Sequence, residues 1–265
     1  MDENYRIING ECLTEMRKLS NDFIDLTVTS PPYDSIRDYK GFPPLDYVSI
    51  SRELFRITKP GGCVVWIVAD GTIDGGETGT SFRQALAFQA AGFKIYDTMI
   101  WQKKGISFPS IVRYQQCFEY MFVFSKGKPS TTNIIRDRKN KSAGRIMHGT
   151  ERQSDGSTRP IRANALGKRH GDIGLRWNIW NMTGEQSNLI RKLHPATFPE
   201  QIAVDHIRTW SKPGDLIFDP FAGSGTTGVA AKGQGRRFLG FEISSEYCES
   251  AIQRIEESYP LASIA

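Results

Sequence analysis

The sequence predicts an α/β domain on a doubly wound, mostly parallel sheet, interrupted by a basic insert. Three observations predict it. Short β-branched or aromatic runs alternate with longer amphipathic ones toward both ends of the chain, as strands do when crossover helices separate them. A glycine-rich segment near the C-terminus lies between a strand-like and a helix-like run, where such sheets place ligand-binding turns. The middle differs: Lys126 to Arg176 carries thirteen basic residues against four acidic ones, +9 in a chain whose total is +5, without sustained apolar periodicity.

Composition agrees. The chain has 265 residues, 39% hydrophobic and 24% charged, which excludes disordered and fibrous classes. It fits one domain, 1–265, with an inserted region at about 126–190. The longest apolar run, Cys63 to Ala69, is far shorter than the roughly 20 residues of a membrane span. The start, MDENYRIING, is too polar for a signal peptide, so a cytoplasmic protein without a membrane partner is expected. Cys12, Cys63, Cys117 and Cys248 form no C-x-x-C pair or compact Cys/His cluster, which argues against both a metal site and a disulfide framework.

Asp25 to Ser30 reads as a strand, Leu45 to Thr58 as a helix, Cys63 to Asp70 as a buried strand and Ser81 to Ala91 as a helix. Phe93 to Trp101 and Phe118 to Ser125 read as strands, from β-branched and aromatic content. Beyond the insert, Thr197-Phe-Pro-Glu200 opens a helix to about Trp210; Thr197 and Glu200 have capping-box spacing, with Pro199 tolerated in the first turn. Leu216 to Asp219 is a strand, Ser224 to Lys232 a helix, Arg237 to Glu242 a strand and Ser245 to Glu257 a closing helix. The Gly-, Ser- and Asn-rich insert reads as irregular structure, with Trp177 and Trp180 as packing residues.

Gly223, Gly225 and Gly228 satisfy G-x-G-x-x-G, and Glu242 ends the next strand 19 positions after Gly223. Glycines let a ligand approach the backbone, and a carboxylate so placed can accept both hydroxyls of a ribose. Together they indicate an adenosine-containing cofactor. Asp219, just before the loop, would repel the pyrophosphate of a nicotinamide dinucleotide and suits S-adenosylmethionine, which has an ammonium group and no phosphate. Toward the N-terminus, Ser30-Pro31-Pro32-Tyr33 ends a strand with two residues that donate no N–H, leaving carbonyls at Ser30 and Pro31 to accept from elsewhere. A hydroxyl, a carbonyl and an aromatic ring at the carboxyl edge of a parallel sheet suit a flat ring bearing an exocyclic NH₂.

VTSPPYD at 28–34 and FDPFAGSGTT at 218–227 closely resemble the motifs of amino-group DNA methyltransferases acting on cytosine N4 or adenine N6. The resemblance covers nearly the whole chain: NGECLTEM, KPGGCVVWIVAD and HPATFPEQI also look like family segments, and the motif order resembles the β arrangement. It implies the S-adenosylmethionine-dependent methyltransferase fold with S-adenosyl-L-methionine as cofactor. Asp219, Phe221, Gly223, Ser224 and Gly225 would line its methionine end, Thr226 would also bind it, Glu242 would hold its ribose and Ile243 would lie against its adenine. Phe198 and Pro199 match the segment that closes over it. Glu11 stands where the family usually has Asp near the adenine amine, and Ser30, Pro31, Pro32 and Tyr33 would form the catalytic base pocket.

The implied function is site-specific methylation of an exocyclic amine on a base flipped out of double-stranded DNA, with the basic insert contacting phosphates and reading sequence. Ser rather than Asp before Pro-Pro-Tyr is the version N4 enzymes typically carry, so cytosine N4 is favoured over adenine N6. Methylation at cytosine C5 needs an attacking thiolate, and no cysteine follows a proline or lies in the Ser30 loop. RNA or a protein glutamine as substrate, an NAD-dependent oxidoreductase and an inactive DNA-binding module are rival readings. The last leaves Ser30-Pro-Pro-Tyr33 without a role. A homodimer and a cognate restriction endonuclease are partners compatible with such an enzyme in a bacterium, an archaeon or a phage.

Overall fold

Strand β3 (Thr58–Val68) turns Cys63, Val65 and Ile67 to one core and Val64, Trp66 and Val68 to another. A strand buried on both faces reads as a continuous apolar run because helices cover both sides of its sheet. The computed structural model describes residues 4–32, 45–105, 111–161, 165–183 and 198–258. These form two compact units, 1–133 with 178–265, and 134–177.

The larger unit holds an eight-stranded sheet. Side by side lie β1 (Tyr5–Asn9), β14 (Arg237–Glu242), β13 (Leu216–Asp219), β2 (Ile24–Thr29), β3, β7 (Phe118–Ser125), β6 (Lys94–Gln102) and β12 (Ile179–Asn181). Every neighbouring pair is parallel except those that β7 makes with β3 and β6. A separate exposed hairpin pairs β4 (Thr72–Ile73) with β5 (Gly76–Glu77). The helices α1 (Cys12–Met16), α2 (Tyr47–Ile57) and α3 (Thr80–Ala91) contribute to one core cluster. The other cluster takes in α4 (Glu200–Trp210), α5 (Thr226–Gly233) and α6 (Ser245–Glu257). Local chemistry sets their ends: the Asp46 carboxylate accepts from Ser49 N at 3.0 Å to start α2, and Ser244 Oγ accepts from Tyr247 N at 3.4 Å to start α6.

Chain order runs outward from β2 to β3 on one side and from β13 to β14 on the other. The central pair β2 and β13 is in register at Leu26↔Ile217 and Thr27↔Phe218. This is the topological switch point, where open sheets bind ligands beyond their carboxyl ends.

Strands Phe118–Ser125, Leu216–Asp219 and Arg237–Glu242 and helix Ser245–Glu257 have the bounds the sequence predicts. Strands β1 and β12 are additions to that reading. The first is half-exposed at the sheet edge and the second has three residues, too few for a period to register. Thr197 lies outside the described residues; Pro199 is the N-cap of α4 rather than a first-turn residue, without a side-chain cap bond. Trp180 packs as expected, 5% exposed and stacked on His206 at 4.5 Å.

Unit 134–177 is more ordered than the sequence suggests. In it β8 (Arg136–Lys139) pairs antiparallel with β11 (Ile173–Leu175), and β9 (Thr150–Arg152) with β10 (Thr158–Pro160). The Asp155 carboxylate accepts from the backbone N and hydroxyl of Ser157 at 2.9 and 2.7 Å in the turn. Trp177 is a correction: it is 66% exposed, with the Arg138 guanidinium 5.0 Å from its ring. Arg176 pairs with Asp137, while Arg136, Lys139, Lys141, Arg145, Arg152, Arg159, Lys168 and Arg169 are exposed.

Within the larger unit, Phe88 is fully buried, stacked on Phe124 at 4.3 Å and 4.8 Å from Trp66. Phe88→Ala is expected to lower stability by about 3–5 kcal/mol, read as a lower urea midpoint with unchanged slope.

Candidate active site

Strand β2 ends at Thr29, beside Asp219 at the end of β13. The Thr29 hydroxyl donates to Asp219 Oδ1 at 2.6 Å, Phe221 N donates to the same oxygen at 3.0 Å, and the Thr227 hydroxyl donates to Oδ2 at 2.8 Å. Asp219 is 2% exposed. Burial pushes its carboxyl up to about 6, against the three donors and with the help of the Glu242 charge. A carboxylate has about four lone-pair positions, so one remains for a further donor.

The loop after β13 needs its glycines for distinct reasons. Gly223 and Gly225 have φ of +50° and +77°, where side chains are strained. A Cβ on Gly228 would lie 2.3 Å from Ile255 Cδ1 and 2.8 Å from Phe238, so that glycine lets α5 pack closely. Gly223 N donates to Glu242 Oε2 at 2.8 Å, and Ser244 N to Glu242 Oε1 at 3.0 Å. Burial nevertheless holds the Glu242 carboxyl above the ordinary glutamate range. Asn9 Nδ2 ties down the next turn, donating to the carbonyls of Glu242 and Ile243 at 2.9 and 3.1 Å. Ile243 is 44% exposed.

Thus Ser30, Pro31 and Pro32 follow β2; Phe221, Gly223, Ser224, Gly225 and Thr226 follow β13; Ile243 follows β14; and Glu11 follows β1. Four neighbouring parallel strands bring them to one edge. The Phe221 ring meets Trp66 edge-on at 6.1 Å. Phe198 is buried with Ile202 and Ala203 in the core beneath α4, and Pro199 is buried beside it. Tyr33 lies outside the described residues. Glu11 caps α1, accepting from Leu13 N at 2.9 Å and Thr14 N at 2.7 Å. Burial raises its carboxyl, but these N–H groups outweigh it and hold the group below the ordinary glutamate range.

Sequence reasoning passed over Thr29, Thr227 and Asn9. The threonines stand inside the two motifs, and the signal was available: a buried carboxylate requires donors. The described cysteines are free. Burial pushes the Cys63 thiol up to about 12 and raises those of Cys12 and Cys248, which keeps all three neutral at pH 7.

This sheet, with its ligand edge at the β2/β13 switch, is the fold of S-adenosylmethionine-dependent methyltransferases. The solved PvuII DNA methyltransferase (cytosine-N4-specific) shares it, with a TM-score of 0.70 at 21% identity over 95% of this chain and 86% of that one. The chain belongs to the N6/N4 DNA methylase family, whose profile matches residues 24–253. It is 50% identical over 240 residues, 88% of this chain and 89% of its relative, to the orphan methyltransferase M.BamHII of Bacillus amyloliquefaciens. It is 26% identical to the type II methyltransferase M.SmaI of Serratia marcescens, over 94% of this chain and 90% of that protein. A Thermus thermophilus protein described as a DNA modification methylase, solved with S-adenosyl-L-methionine, matches at a TM-score of 0.64 and 25% identity, covering 97% and 95% of the two chains.

The protein is therefore an amino-group DNA methyltransferase that uses S-adenosyl-L-methionine. Its edge suits that cofactor. Left-handed glycines keep side chains off the turn, Asp219 retains an acceptor position for a cation, and exposed Ile243 offers apolar surface beside the Glu242 carboxylate.

The Asp219 carboxyl binds its proton more tightly in the folded chain than in the unfolded one. Its contribution to stability is complete below the usual aspartate range near 4 and is lost as pH rises through about 6. Asp219→Asn is expected to remove this slope between pH 4 and 6, measured by denaturant unfolding across that range.

Proposed function

We propose that the protein methylates the N4 amine of a cytosine flipped out of double-stranded DNA. The observation that carries this reading is the 2.6 Å hydrogen bond from Thr29 to Asp219, which makes the Ser30 loop and the glycine loop leave the sheet side by side.

An exocyclic amine is a weak nucleophile because its lone pair is delocalised into the ring. The Ser30 hydroxyl and the Pro31 carbonyl accept its two N–H groups and favour a tetrahedral nitrogen with a localised lone pair. Tyr33 gives the flipped base a ring to stack on. S-adenosylmethionine, when bound, supplies an electrophilic methyl on a cationic sulfur. Asp219, Phe221, Gly223, Ser224, Gly225 and Thr226 hold its methionine end, Glu242 its ribose and Ile243 its adenine, with Phe198 and Pro199 closing the site. Glu11 accepts from Leu13 N and Cys12 Sγ at Oε1 and from Thr14 N at Oε2, and would meet the adenine amine through Oε2.

Serine before Pro-Pro-Tyr supports cytosine N4; adenine N6 is the second reading, because either amine satisfies the same two acceptors. The exposed basic residues of 134–177 support a target-recognition role for the insert, through phosphate contacts. Identity of 50% with an orphan methyltransferase supports action without a cognate endonuclease.

Incubation with labelled cofactor and mixed-sequence DNA, then digestion to nucleosides, should place label on N4-methylcytosine. Label on N6-methyladenine selects the second reading; 5-methylcytosine, or no labelled base, overturns both. Ser30→Ala should slow transfer by about 100-fold or more while DNA affinity in a mobility-shift assay stays unchanged.

A further inference from the structure

The back of the glycine loop is held by one side chain from the last helix. Arg254 Nη1 donates to the Ser224 carbonyl at 3.0 Å, the Ser224 hydroxyl at 3.3 Å and the Thr226 hydroxyl at 3.0 Å. Its Nη2 donates to Glu200 Oε2 at 3.3 Å. The Arg254 side chain is 15% exposed and that of Glu200 39%, so the guanidinium is largely buried against the loop while the Glu200 end of the pair meets water. Helix α6 also supports the loop sterically: Ala251, one turn before Arg254, lies where a Cβ on Gly225 would come within 3.0 Å of its Cβ.

Two consequences follow. The Ser224 hydroxyl is turned toward Arg254, and a shift of the loop at Ser224 or Thr226 breaks Arg254 bonds. Glu200 directly follows Phe198 and Pro199, so the same guanidinium joins the loop to the segment that closes the site. A planar fork can span two such partners at once, whereas an ammonium concentrates its donors at one point.

We propose that Arg254 is a positioning residue for the cofactor: it fixes the glycine loop from behind and, through Glu200, sets the Phe198-Pro199 segment against it. This rests on the reading of that loop as the cofactor site. It makes cofactor affinity, and not the chemistry at Ser30, the quantity that depends on Arg254.

The test is calorimetric titration of the full chain with S-adenosylmethionine, alongside methylation rates. Arg254→Met should weaken affinity by about 10- to 100-fold, the worth of hydrogen bonds from a charged group, with kcat at saturating cofactor within about twofold. Arg254→Lys should be intermediate. Glu200→Gln should weaken binding severalfold in the native background and have no effect beside Arg254→Met, the non-additivity of a shared contact. A folded Arg254→Met with native affinity, or one that loses kcat at unchanged affinity, overturns the proposal. If Arg254→Met does not fold, native affinity in both Arg254→Lys and Glu200→Gln overturns it. Glu242→Gln separates the inference from its foundation: if it weakens binding while Arg254→Met does not, the cofactor site stands and the clamp falls. If neither weakens binding, the loop is not the cofactor site.

Discussion

A buried carboxylate holds the two halves of this active edge together. Asp219 takes donors from the end of β2, from its own loop and from the first turn of α5. An ionised group without such partners would be strongly disfavoured in the interior. The side chain that ends β13 thereby aligns the end of β2, just before Ser30. Geometry at the switch point depends on this contact because the strands themselves pair there through only two registered positions, Leu26↔Ile217 and Thr27↔Phe218.

Much of the frame was legible in the sequence because its central strands β2, β3 and β13 are buried on both faces. Cys63 to Ala69 has no polar interruption and could only be interior, and the G-x-G-x-x-G turn lies where the sequence puts it, between a strand and a helix beside the β2/β13 switch. What escaped was either too short to show a period, as in β12 and the strands of 134–177, or dependent on partners distant in sequence. Thr29 and Asp219 are 190 residues apart, and no local pattern assigns a threonine to a carboxylate at that separation. The Trp177 misreading has a similar origin: an aromatic residue is assigned to a core by composition, but a guanidinium can serve as its partner in solvent.

Charge is unevenly divided between the two units. Unit 134–177 carries +7 and the rest of the chain −2, so positive charge is concentrated in the inserted segment. The larger unit carries the acidic groups Asp219, Glu242 and Glu11 at the carboxyl ends of its strands.

The chain order of the sheet also governs when the enzyme becomes competent. Because the strand before Ser30 is made early and its neighbour β13 late, a growing polypeptide exposes the edge of β2 until the final third has been synthesised. The nascent chain must keep that edge from other partners in the meantime, and the switch point between β2 and β13 does not exist until the C-terminal strands slot in.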